Sequence, residues 1–176
     1  MANPTMTLIS SQTLGGTTAS VTFSSIPSTY NDLKLVISAR GDSVSGYTTF
    51  FTIKLNGDTG TNYSDTFIQG NSSAILSSHH SSVTSDQDSV FDNANATAST
   101  FGSTEIYIPN YNSTGSKPYF NINVTENNLA SAGTAYVQAE ASLYRGASGI
   151  SSITLTPSSG NFVQYSNFYL YGIKNS

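Results

Sequence analysis

The chain has 176 residues, a formal net charge of −4, only six Lys and Arg, and no cysteine. So little positive charge offers no stripe to neutralise phosphates, which excludes nucleic acid as a partner, and the missing thiols exclude disulfides and thiolate metal sites. No stretch reaches the roughly 20 apolar residues of a membrane helix, and the start Met1-Ala2-Asn3-Pro4-Thr5 lacks the pattern of a secretion signal, so a soluble single domain made in a cytoplasm, with no membrane partner, is expected.

Ser, Thr and Asn take the positions where most soluble chains carry Lys and Glu. These side chains compete for backbone hydrogen bonds in helices, whereas Thr, Tyr, Phe, Val and Ile suit pleated strands. An N-terminal arm over residues 1–7 leads into alternating apolar and polar residues, the period of half-buried strands, over 7–14 and 20–25. After the turn Ile26-Pro27-Ser28 come strands over 32–40 and 48–56. Their runs Leu33-Lys34-Leu35-Val36-Ile37 and Phe50-Phe51-Thr52-Ile53-Lys54-Leu55 are expected to be adjacent or to face each other. Arg40-Gly41-Asp42 and Asn56-Gly57-Asp58 are turn formers. A strand over 62–69 precedes a stretch at about 70–100 that breaks the pattern, with Asn71-Ser72-Ser73, His79-His80-Ser81-Ser82, Asp86-Gln87-Asp88 and Asn93-Ala94-Asn95. It reads as a long exposed excursion carrying a contact surface. Strands over 103–109, 118–125, 134–144, 151–156 and 167–174 complete the chain. About ten short strands at this spacing describe an all-β fold, an antiparallel β-sandwich, jelly-roll-like, as a single domain over 8–176.

Acids, bases and nucleophiles for catalysis are scarce, so no enzyme activity and no cofactor is expected. The two histidines, His79 and His80, are consecutive, and on extended backbone such side chains point apart. Glu105, Glu126 and Glu140 fall on different strands, Glu126 at a strand end and Glu140, in Ala139-Glu140-Ala141, at an outward position. Asp86, Asp88 and Asp92 have the look of clustered oxygen ligands for calcium, and Asp58 and Asp65 flank 59–64 in the same manner. Neither group has the fixed glycine and terminal glutamate of a calcium loop, and solvated turns are the simpler reading. Arg40-Gly41-Asp42 is the integrin-attachment tripeptide, placed here at a strand end and turn. Eleven Tyr and nine Phe without Trp suit interfaces. Tyr111, Tyr169 and Tyr171 belong to a tyrosine-rich C-terminal half that suits a subunit surface or sugar stacking.

Four segments carry a further signal: Ser24-Ser25-Ile26-Pro27-Ser28-Thr29-Tyr30-Asn31-Asp32-Leu33-Lys34-Leu35, then Leu55-Asn56-Gly57-Asp58-Thr59-Gly60-Thr61-Asn62-Tyr63-Ser64, then Ile108-Pro109-Asn110-Tyr111, and finally Phe168-Tyr169-Leu170-Tyr171-Gly172-Ile173-Lys174. In that order they resemble a group of virion proteins of tailed bacteriophages that infect aquatic bacteria. The resemblance implies a small β-sandwich part of the particle: a capsid decoration (cement) protein, homotrimeric, contacting the major capsid protein or other virion proteins. It implies location in the virion after synthesis in the host bacterial cytoplasm. The N-terminal segment, with Met1, Pro4 and Thr7, is then expected against the shell, and His79, His80, Tyr111, Tyr169 and Tyr171 are the remaining interface candidates. The alternative is a fibre or tail-tip module that recognises host-surface glycan.

Overall fold

The computed structural model describes residues 5–128 and 135–174. Twelve strands follow one another: β1 (Met6–Thr13), β2 (Val21–Phe23), β3 (Asp32–Ala39), β4 (Thr48–Leu55), β5 (Tyr63–Asn71), β6 (Ile75–Val83), β7 (Asp86–Asp92), β8 (Gly102–Ile108), β9 (Lys117–Val124), β10 (Tyr136–Tyr144), β11 (Ile153–Pro157) and β12 (Asn167–Ile173). No helix occurs among the described residues. All strand pairings are antiparallel. They build one sheet of eight strands, β1-β12-β3-β8-β9-β10-β5-β6, and one of four, β2-β11-β4-β7. The all-β sandwich is as expected, but its layers are unequal, unlike the balanced sheets of an eight-stranded jelly roll.

Alternation sets the core. In β3, Leu33, Leu35 and Ile37 are buried while Lys34, Val36 and Ser38 are half-exposed. Phe51, Ile53 and Leu55 of β4 do the same in the small sheet, so the two runs singled out in the sequence face each other. Phe168 and Leu170, Ile106 and Ile108, Ile153 and Leu155 extend the same cluster. Rings of Phe51, Phe91, Phe162 and Phe168 form a chain with centroids 5.0–5.7 Å apart from Phe51 to Phe91, Phe162 and Phe168 in turn. Each such side chain contributes about 1.5–3 kcal/mol by leaving water. Asn56 and Gly57, at φ 56° and 63°, make the turn that carries the chain from the small sheet to the large one, with Asp58 N donating to Leu55 O at 3.0 Å. Two consecutive positive φ values are what an Asn-Gly pair tolerates best.

The stretch at 70–100 is not an exposed excursion, because β6 and β7 occupy most of it. Asn71 closes the β5–β6 hairpin, its Oδ1 accepting from Ser73 N and Ala74 N at 2.9 and 2.7 Å. β6 is the outer edge of the large sheet and is wet on both faces, so no apolar alternation marks it. The loop that does exist, 93–101, is clamped from inside. The Arg40 guanidinium, on a residue only 8% exposed, donates to the carbonyls of Thr97, Thr100, Ala94 and Ala96 at 2.8–2.9 Å. The arginine of Arg40-Gly41-Asp42 thus points into the fold and is withheld from any receptor. At the N-terminus, Thr7 is no arm residue: it sits in β1 opposite Gly172. Met1 and Pro4 lie outside the described residues.

Candidate contact face and buried acidic cluster

Over β9, β10 and β5 the large sheet is inside out. Its inward side carries Asn121, Asn123, Gln138, Glu140, Ser142 and Asp65, all at 5% exposure or less. Its outward side carries Phe120, Ile122, Val124, Val137 and Ile68 at 45–58%, and Ile75 of β6, opposite Gly70, at 79%. Ile68, Phe120, Ile122, Ala139 and Ala141 line a shallow groove of about 500 Å³ on this side. The six large side chains together leave on the order of 600 Å² accessible, the upper end of what a monomer shows in one patch. Among outward positions of these four strands His79 is the only ionisable residue. Tyr107 stacks on Phe120 at 5.7 Å, and beside it Lys34 pairs with Glu105 at 2.9 Å. The same side continues to Tyr169 and Tyr171 of β12, whose rings stack at 6.4 Å.

The polar interior beneath is organised around carboxylates. A bulge in β7, with Asp88 at φ 75°, sets Asp86 and Ser89 inward and turns Asp88 toward the sandwich edge. His80 Nδ1 stands 2.9 Å from Asp65 Oδ1 and 3.2 Å from Asp88 Oδ2. Its hydrogen bond with Asp65 raises the imidazole above its ordinary range. Tyr119 donates to Asp86 Oδ2 at 2.6 Å, and Gln138 Nε2 donates to Asp88 O at 2.8 Å and Glu140 Oε2 at 3.3 Å. Asp86 and Glu140 meet across the interior. Burial, with the Asp86 charge added, pushes Glu140 strongly upward, and burial raises Asp86 too. Thr104, Asn123 and Asn121 complete the network through bonds of 2.8 and 2.7 Å.

The chain matches no protein-family model and no curated protein.

The residues singled out in the sequence are scattered by this arrangement. Asp86 and Asp88 do reach one neighbourhood, but Asp92 does not. It accepts the Glu126 backbone N–H at 3.1 Å beside the Arg40 clamp, because it stands at the opposite end of β7 from Asp86. Glu140, expected outward, is inward. Tyr111 is wholly buried, its hydroxyl donating to Pro27 O, and is a core residue with no interface to offer. His79 and His80 are strand residues pointing apart, one outward beside Thr66 and one inward to Asp65. Glu105 is paired at the surface and Glu126 holds Thr97 N and Oγ1, so the three glutamates stay separate. Asp58 caps Gly60 N and Asn62 Nδ2, a turn and no ligand set. Missed altogether were Asp65 and Glu140 as partners of Asp86. The available signal was polar residues at alternate positions of two strands, Asn121 and Asn123, then Gln138, Glu140 and Ser142.

Proposed function

We propose that this chain is a structural component of a virion, a capsid decoration protein that assembles as a homotrimer and acts by lasting contact. The observation that carries the reading is the uncharged apolar outside of β9, β10 and β5, laid over a polar inside. Apolar surface of this extent approaches the roughly 800 Å² that one partner brings to a stable interface, and a face without charges desolvates at little cost. Neighbouring copies cover it about the threefold axis, and the shell is bound by the remaining surface. The four phage-like segments supply the particle setting. Asp86 and Glu140 are enclosed, at 1% and 3% exposure, in keeping with a role without turnover.

Sedimentation velocity on the wild type and on Ile122→Lys and Val137→Lys tests this. The wild type is expected to sediment as a trimer at micromolar concentration, and either lysine, placed outward where it disturbs no core, is expected to give a folded monomer. A wild type that stays monomeric up to millimolar concentration refutes the assembly. Antibody labelling of intact particles tests the setting: heads decorated support it, and tail tips decorated transfer the chain to the glycan-binding alternative.

A further inference from the structure

We infer that Asp65, Asp86 and Glu140 form a divalent-cation site of the oxygen-ligand class that calcium fills, tying the two sheets together at the β6–β7 edge. Asp65 comes from β5, Glu140 from β10 and Asp86 from the opposite sheet, and each offers one oxygen within 4.8 Å of the others. Calcium ligands stand about 2.4 Å from the ion, so opposite ligands are separated by about that span.

Each carboxylate is held by one oxygen. His80 holds Asp65 Oδ1, Tyr119 holds Asp86 Oδ2 and Gln138 holds Glu140 Oε2. Among the described residues, Asp65 Oδ2, Asp86 Oδ1 and Glu140 Oε1 are buried without a well-formed hydrogen bond, and the neighbouring donors are few: the Ser142 hydroxyl beside Asp86 and the Asn121 amide beside Glu140. This is how the outer partners of a metal site orient its ligands. A second observation comes from a neutral group. Gln138, 1% exposed, reaches into the cluster through its amide nitrogen, and its Oε1 is also buried without a partner. An amide oxygen and an ionised carboxylate only accept hydrogen bonds, and buried acceptors without donors are rare. One cation answers the three carboxylate oxygens, which lie within 4.8 Å of one another.

The donor set is hard oxygen, which selects calcium, magnesium or manganese over zinc. His80 is already engaged with two carboxylates, and together with Asp88 it is part-exposed at the edge, giving the ion a way in. The ligand set differs from the Asp86, Asp88 and Asp92 grouping suggested by spacing, sharing only Asp86.

Terbium(III) luminescence provides the test, since the ion would sit against Tyr119 and the chain has no tryptophan to compete as donor. Chelator-treated wild type is expected to give tyrosine-sensitised terbium emission that calcium displaces, and a melting temperature raised by about 5–10 °C at a hundredfold excess of calcium over its Kd. Asp65→Asn and Glu140→Gln are expected to weaken calcium competition at least tenfold, while Asp42→Asn, remote from the cluster, keeps the full response. Should the two cluster variants fail to fold, the wild-type titration decides alone. No sensitised emission and no calcium or manganese effect on melting would overturn the site and leave a buried water as the missing donor. Emission unchanged in both cluster variants would overturn it equally, by placing the ion elsewhere.

Discussion

Replacing Arg40 by methionine removes the clamp of loop 93–101 while keeping much of the side-chain volume. The guanidinium serves four carbonyls at 2.8–2.9 Å. A hydrogen bond to a charged group contributes about 1.5–3 kcal/mol net, and buried acceptors left unpaired add their own penalty. The loop is only part-buried, so some carbonyls recover water on opening, which brings the expected loss to about 3–5 kcal/mol. For a chain of this size that is a fall in Tm of roughly 6–20 °C. Arg40→Lys offers three donors from a single point and reaches part of the fork, so it should recover less than half of the loss. Thermal melting followed by circular dichroism measures both, and limited proteolysis locates the weakness, with new cleavage expected inside 93–101. Melting of Arg40→Met within about 2 °C of the wild type, or cleavage outside that loop, would refute the clamp.

Gly172→Ala places a methyl 2.3 Å from Cγ of Tyr30, so overpacking should cost about 1–3 kcal/mol by chemical denaturation, and Tyr30→Leu in the same chain should restore part of it. Tyr63→Phe deletes a wholly buried hydroxyl that accepts from Leu55 N at 2.9 Å and donates to Leu55 O at 3.1 Å. A loss of about 1–3 kcal/mol is expected from the orphaned amide, with an unchanged denaturant slope. The side chain of Asn62 and the backbone of Gly60 hold the Asp58 carboxyl below its ordinary 3.8. Its contribution is therefore present above about pH 4 and lost as pH falls through the folded value. Asp58→Asn should be less stable than wild type at pH 7 and equal to it near about pH 2, and a pH-independent difference in urea midpoints would contradict the assignment.

The apolar half of the sandwich was legible because composition and period agreed there. Leu33, Leu35 and Ile37 against Phe51, Ile53 and Leu55 leave no choice of face. β6 was illegible for the opposite reason: an edge strand of Ser and His with water on both faces has no period to read. β9 and β10 were legible as strands but not as to side. Phe120, Ile122 and Val124 alternate cleanly with Tyr119, Asn121 and Asn123, and the ordinary rule sends the apolar set inward. The polar set goes in instead, because β7 brings Asp86 and Ser89 over it from the small sheet and gives Tyr119 and Gln138 acceptors there. That is a pairing across 33 residues of chain, beyond the reach of any local pattern. The acidic cluster was hidden in the same way, since its members Asp65, Asp86 and Glu140 are gathered from three separate strands.

The near-absence of charge on the outward side of β9, β10 and β5 sets how the proposed association would respond to the medium. Coulombic interfaces weaken as ionic strength rises, whereas burial of apolar surface is unaffected by simple screening and is strengthened by excluded salts such as sulfate. With the Lys34–Glu105 pair confined to the margin, a contact made through this side under the proposed assembly would resist screening by simple salts and tighten in sulfate.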